Sequence, residues 1–346
     1  MAAPGDEVAI VIASHGRPRR LAECLAALAR LEGGPFRAIV VDDGSPEPLA
    51  PVCRAAGPWV ECLRQDNAGP GAARNRGVQA AEGARRILFT DDDCRPRPDW
   101  ALRMLSAQAG APMRLVGGRV ENRLTDNPYS AASQAVLGYA YRVFDAFDGP
   151  MAFFTTNNMC LRRADFLALG GFDRAFRFAA EDRDLCRRWK AAGGALHHAP
   201  DAVVDHGHAL DLRAFWRQHV SYGRGARRFH RSLAGEAGGG VEWGSLRFYA
   251  GLVLHPLRRP SLSALRLSAL IALSHLAMLF GYLGERRAEA GFEAARAETS
   301  AGGAATNAVN RGTSVSPAAS AGDTFADAET AAAPSEPARR EQRSRP

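Results

Sequence analysis

Residues 86–96, RILFTDDDCRP, carry an apolar run straight into three consecutive aspartates, Asp91, Asp92 and Asp93. A short run rich in β-branched and aromatic residues that stops at turn-forming residues reads as a buried strand, and VAIVIAS (8–14), RAIVVDD (37–43) and WVECLR (59–64) carry the same sign. Between them lie segments of helical spacing, RPRRLAECLAALARL (17–31), closed by Gly33 and Gly34, and a stretch from about Pro70 to Ala81. Strands that alternate with helices in this way predict an α/β fold of parallel βαβ units, with helices on both faces of the sheet. In such a sheet ligands bind beyond the carboxyl ends of the strands. Polar residues stand at three of those ends, Ser14-His15-Gly16-Arg17, Asp42-Asp43-Gly44-Ser45 and Asp91-Asp92-Asp93, and they should converge on one edge.

Three adjacent carboxylates repel one another unless they are solvated or share a cation. A divalent ion is the economical counter-charge: Mg²⁺ or Mn²⁺ takes oxygen ligands and keeps positions open for phosphate oxygens. The plainer alternative is an acidic turn or helix cap ahead of Pro96 and Pro98, and DDGS (42–45) is equally compatible with a simple turn. Neither acidic stretch has the D-x-D-x-T/V pattern of a haloacid dehalogenase phosphatase. In QDNAGPGAARNRG (65–77), glycines 69 and 71 at a helix start suit phosphate held on backbone N–H groups, but Arg74 stands where a dinucleotide fingerprint has its third glycine. Glu181, Asp182 and Asp184 open a helix, where acids favour the helix dipole; the sharper expectation is that Asp182 is a general base. His206 and His208 lie two apart, hence on one face of a strand, and either could complete a metal site; imidazole fits Mn²⁺ better than Mg²⁺.

The rest of the chain is less regular. A strand pair is expected near RLVGGRVEN (114–122), a helix near 129–146, strands in ALHHAPDAVVDHGH (195–208) and an arginine-rich helix over about 212–232. The net charge of +7 on 346 residues is local: Asp211 to Arg266 holds ten arginines and three acids, whereas the part from Glu285 onward has eight bases and nine acids. Such a zone suits phosphate-bearing substrates or anionic lipid; with no recognised nucleic-acid motif beside it, nucleic acid is not expected as a partner. Six cysteines with no C-x-x-C pair read as reduced thiols, and the six-residue VAIVIA behind Asp6 and Glu7 is not laid out as a secretory signal, so a cytoplasmic location is expected. Leu267 to Leu283 is free of formal charge and flanked by Arg266 and by Arg286-Arg287, which leaves open an interfacial helix, a helix packed on the domain, or a span. Beyond about residue 288 the Ala, Ser, Gly, Pro and Glu composition predicts a disordered tail. The expected partition is a domain over 1–232, apolar helices over 233–287 with peripheral contact to the cytoplasmic face of a membrane, and the tail over 288–346.

Taken together and in order, AIVIASHGRPRRLAECLAAL, IVVDDGS, QDNAGPGAARNRG, ILFTDDDCRP, NNMCLRRADFLALGGFD and EDRDLCRRWKAAG resemble the family 2 glycosyltransferases over about residues 8–230. The resemblance implies a GT-A fold, a nucleotide-sugar donor, a Mn²⁺ or Mg²⁺ cofactor and inversion at the anomeric carbon. By position it implies nucleotide-sugar contacts from Ser14, Arg17, Asp43 (to the base), Arg74, Asp91 and Asp92, and a metal held by Asp91, Asp93 and His206. Asp182 would be the catalytic base, with Asn157, Asn158 and Glu181 on the acceptor side, where TTNN (155–158) and GGFD (170–173) would lie. One departure is Ala13-Ser14-His15-Gly16, where many members carry Pro-Thr-Tyr-Asn and hence an aromatic residue. The acceptor would be a glycan, a lipid-linked saccharide or a small molecule in glycan or envelope polysaccharide synthesis. A nucleotidyltransferase of related fold and an inactive sugar-nucleotide-binding scaffold are the competing expectations; the first would release pyrophosphate rather than nucleoside diphosphate.

Overall fold

The computed structural model of the chain describes residues 8–34, 36–111, 113–143, 153–234 and 246–311. The chain divides into two units, Met1–Gly291 and Phe292–Pro346; of the second, the described residues are helical. The first is built on one eight-stranded sheet. Strands β1 (Val8–Ser14), β2 (Arg37–Asp43), β3 (Val60–Gln65) and β4 (Arg86–Thr90) are parallel, as their alternation with helices predicts. The sheet continues through β5 (Cys94–Pro96), β6 (Arg114–Asn122), β7 (Asn158–Arg162) and β8 (Ala195–His206), in the order β3-β2-β1-β4-β7-β6-β8-β5. Here the parallel pattern gives way: β7 is antiparallel to both β4 and β6, and β5 is antiparallel to β8.

Alternation along the strands sorts the core into two layers. Ala9, Val11 and Ala13 face one side with Ile39, Val41, Ile87 and Phe89, against α3 (Pro70–Ala80) and α7 (Glu181–Ala191). Val8, Ile10 and Ile12 face the other with Val40 and Leu88, against α1 (Pro18–Leu28) and α4 (Trp100–Gln108); α2 (Ala50–Ala56) adds Cys53. Each large aliphatic or aromatic side chain removed from water on these faces contributes about 1.5–3 kcal/mol. β6 is one nine-residue strand, not the expected pair. Gly117 and Gly118 suggest a turn in the sequence but serve close packing: a Cβ at 117 would overlap the Phe154 ring, and one at 118 would press on Asn158.

Helix α5 (Pro128–Val143) matches the helix expected at 129–146 up to residue 143, and residues 144–146 lie outside the described residues. The short α6 (Arg163–Ala168) follows β7. Helices α8 (Leu212–Ala234), α9 (Leu246–Leu254) and the part of α10 (Leu262–Arg311) up to Gly291 close the unit, and Ala132, Phe215, Leu252 and Ile271 from α5, α8, α9 and α10 form a third core. The apolar helices thus pack on the sheet domain. Backbone approaches backbone where α8 meets α10: a methyl at Gly223 would overlap the Met278 carbonyl oxygen, and one at Gly281 the Val220 carbonyl oxygen. Arg224 and Arg228 close the same contact on Glu285, at 2.8 and 2.7 Å. Because α10 runs to Arg311, its last turns overlap the expected tail; residues 312–346 lie outside the described residues.

Candidate active site

Strand register delivers the acidic triplet to its partners. β4 ends at Thr90, so Asp91 to Asp93 cross the carboxyl edge of the sheet; β5 then sets Cys94 opposite His206, and Gly207 N–H donates to the Asp93 carbonyl at 2.9 Å. β1 ends beside them at Ser14, whose hydroxyl donates to Asp92 at 2.5 Å. Arg17 lies 2.9 Å from Asp92 and 3.1 Å from Asp93. Asp93 also faces Arg20 at 3.5 Å and His206 Nε2 at 3.3 Å, while Asp91 pairs with Arg74 at 2.7 Å. The charge that lets three neighbouring carboxylates coexist therefore comes first from the protein's own side chains, from α1 and its lead-in, α3 and β8.

Their environments push the acids apart. Burial above all lifts Asp92 to about 7, against the pull of Arg17. Burial would lift Asp93 as well, but the hydrogen bond and charge of His206, followed by Arg17, hold it well below the usual carboxylate range. Asp93 is the firm anion of the pair.

At the end of β2, Asp43 accepts the backbone N–H groups of Ala68 and Gly69, both at 2.9 Å, and the Gln65 amide at 2.8 Å, which fixes the loop that opens α3. Gly69 holds φ 92°, where a side chain is strained. His15 stands at the place of the expected aromatic, exposed, its Nδ1 2.8 Å from the Asp43 carbonyl oxygen.

From α3, buried Arg74 reaches two ways, to Asp91 and to Glu181 at 2.9 Å. It ties the end of β4 to the start of α7. The chain enters α7 through Ala180 at φ 75°, a left-handed conformation uncommon for a residue with a side chain. Asp182 accepts the N–H of Arg183 at 2.8 Å, and burial, then the neighbouring Glu181, lifts its carboxyl to about 7. A carboxylate poised near neutrality can take a proton from a hydroxyl.

Among the described residues, Asp93, Cys94 and His206 bring ligand-type atoms within 4.8 Å of one another. Burial pushes the Cys94 thiol well up, which leaves it a core thiol, so carboxylate and imidazole remain as donors. That set suits Mn²⁺. Asp91 stands outside this trio, paired with Arg74. His208 stacks on His206 with ring centroids 4.2 Å apart; among the described residues neither of its ring nitrogens has a hydrogen-bond partner, and burial followed by His206 lowers it to about 3.

Arg17, Arg74, Asp91, Asp93, Glu181, Asp182 and His206 line one cleft of about 550 Å³, together with Thr155, Thr156 and Asn157. Ser14 and Asp92 stand behind that lining, hydrogen-bonded to each other and, through Asp92, paired with Arg17; Asp43 is outside it, hydrogen-bonded to Gln65 and Ala68. Asn158 is turned away into the core: its amide donates to the Arg119 and Ala202 carbonyls and accepts from Trp100 Nε1. GGFD is also outside the cleft, since Asn75 exchanges two hydrogen bonds with the Phe172 backbone. It borders a separate hollow of about 970 Å³ that holds none of the triplet. The far wall of the cleft was not anticipated: Gln218, His219 and Tyr222 of α8 and Met278 of α10. Its signal is present, because Phe215, His219, Tyr222 and Ala226 repeat every three or four residues along an otherwise basic helix.

The family model "Glycosyl transferase family 2" matches residues 9–170, and "Glycosyl transferase family group 2" matches residues 112–283. The pre-mycofactocin glycosyltransferase of Mycobacterium tuberculosis is 29% identical over 226 residues, 64% of this chain and 47% of that protein. The validoxylamine A glucosyltransferase of Streptomyces hygroscopicus subsp. limoneus is 30% identical over 222 residues, 54% of this chain and 48% of that protein. The chain thus spans about half the length of these curated relatives. Among solved structures, a mannosyltransferase from Pyrobaculum calidifontis in complex with GDP-Man and Mn²⁺ superposes with a TM-score of 0.59 at 13% identity, covering 81% of this chain and 86% of that one. At that identity the likeness is one of fold, which is of GT-A type. With the matched segments running from β1 to α10, across the triplet and Asp182, the chain belongs to glycosyl transferase family 2.

Proposed function

We propose that the chain transfers a sugar from a nucleotide-diphosphate donor to an acceptor hydroxyl, with inversion at the anomeric carbon. The observation that carries this reading is the meeting in one cleft of Asp182, lifted to about 7, with the Asp93–His206 pair and two arginines. The relatives named as glycosyltransferases and the GDP-Man and Mn²⁺ of the structural neighbour support it.

Asp182 takes the proton of the acceptor hydroxyl as that oxygen attacks the anomeric carbon. The new carbon–oxygen bond forms on the face opposite the breaking bond to the diphosphate, so one displacement gives one inversion. Arg17 and Arg74 offer positive charge to the departing diphosphate, and Glu181, held by Arg74, keeps a like charge beside Asp182 that helps raise its carboxyl. Asp93 and His206 would hold Mn²⁺ or Mg²⁺, with Asp91 alongside, and the bound ion would neutralise charge on the leaving group. Thr155 to Asn157 and the α8 wall face the acceptor, a glycan end, a lipid-linked saccharide or a small molecule, in glycan or envelope polysaccharide synthesis on the cytoplasmic side.

The test is a screen of UDP-, GDP- and dTDP-sugars, with and without Mn²⁺, for donor stabilisation and nucleoside diphosphate release. One donor class should stabilise the protein in a Mn²⁺-dependent way and release nucleoside diphosphate when an acceptor is present. Pyrophosphate release would assign nucleotidyl transfer instead, and binding without turnover would leave a scaffold.

A further inference from the structure

Helix α10 carries two stripes. Ala264, Ser268, Ile271, Ala277, Gly281 and Glu285 are buried, and their spacing places them on one face. That face lies along α5, α8 and α9 through the third core, the paired glycine contacts and the Glu285 ion pairs. Leu262, Leu265, Leu276, Leu279, Phe280 and Leu283 form the opposite stripe and are 40–87% exposed. At 1.5 Å per residue it is about 30 Å long. Exposed arginines stand at both ends, Arg258, Arg259 and Arg266 at one and Arg286 and Arg287 at the other.

An apolar row of this length on a soluble surface marks a partner. The helix is long and apolar enough to cross a membrane, but crossing would strip its inner face from the domain and carry Glu285 away from its two arginines toward hydrocarbon. A second copy of the chain fits poorly, because two such stripes laid together, parallel or antiparallel, set arginines against arginines at each end. A phosphate-bearing surface complements both ends at once. We infer that α10 docks lengthwise on an anionic phospholipid bilayer, with the outer leucines and Phe280 in the interface and the five flanking arginines on lipid phosphates. The inference stands apart from the sugar-transfer reading. It also sets lipid beside the cleft, since Met278 lines the cleft and its neighbours Leu279 and Phe280 face outward.

Flotation of the full chain with vesicles tests this, using phosphatidylcholine alone and an equimolar mixture with phosphatidylglycerol. The protein should float with the mixed vesicles, weakly with phosphatidylcholine, and less at high salt. Arg286→Glu with Arg287→Glu, and separately Leu276→Glu with Leu279→Glu, should each reduce partition at least about tenfold. All four side chains are exposed, so unchanged thermal unfolding and unchanged donor binding in solution should accompany the loss. Equal flotation of the variants would overturn the proposal. So would resistance to alkaline extraction with no preference for phosphatidylglycerol, which indicates a span, or a dimer in lipid-free sedimentation that the leucine variant alone dissolves.

Discussion

Arg74 is the cation on which two acids of the cleft depend, Asp91 on one side and Glu181 on the other. Replacing it by alanine leaves both carboxylates facing a buried gap, and Arg74→Ala should cost about 3–5 kcal/mol in a denaturant titration. Asp182→Asn should abolish transfer while donor affinity stays within a few-fold, read by turnover and by donor titration. The proton on Asp182 gives a sign as well: its folded pKa is raised from 3.8 to about 7, so it contributes stability at acid pH that is lost as pH rises through about 7. The asparagine variant should flatten that fall in Tm, and wild-type kcat/KM should rise over the same range as the base loses its proton. Asp93→Ala should weaken donor binding in the presence of Mn²⁺ more than in its absence, measured by thermal shift. Clustered charge made these positions legible in the sequence, since adjacent aspartates demand an account of their counter-charge. Asn157 and Asn158 could not be told apart in that way: the same amide serves a cleft wall or a core, and only the position of Trp100 beneath β7 decides.

At the scale of elements, legibility followed how strictly a pattern ties residue to face. β1, β2 and β4 have the ends read from the sequence, because a two-residue alternation between two buried layers tolerates no slip. β6 was misread because paired glycines mark a turn and a close approach alike. In α8 the arginines obscured a second face, which the fold turns into the cleft. The glycine contact between α8 and α10 gives this wall its own test. Gly223→Ala or Gly281→Ala forces a methyl against a carbonyl oxygen and should destabilise the protein by about 1–3 kcal/mol. Because α8 carries Gln218, His219 and Tyr222, acceptor KM should change more than donor affinity.

For the whole molecule, composition showed where the apolar helices lie but not what they cover. Packing partners distant in sequence, Ala132 with Phe215 and Ile271, leave no mark in a local window. A chain cut after Ala234 loses α9 and α10, exposes that third core and removes Met278 from the cleft. Such a fragment should lose cooperative thermal unfolding and donor-induced stabilisation together, read by circular dichroism and thermal shift. The glycines that let α8 and α10 touch also have a consequence in time. With each backbone pressed on the other, neither helix can open alone, so the slowest-exchanging amides around Val220–Gly223 and Met278–Gly281 should share one opening free energy in native-state hydrogen exchange. The cleft's far wall then breathes only when the helix beneath the leucine stripe breathes with it.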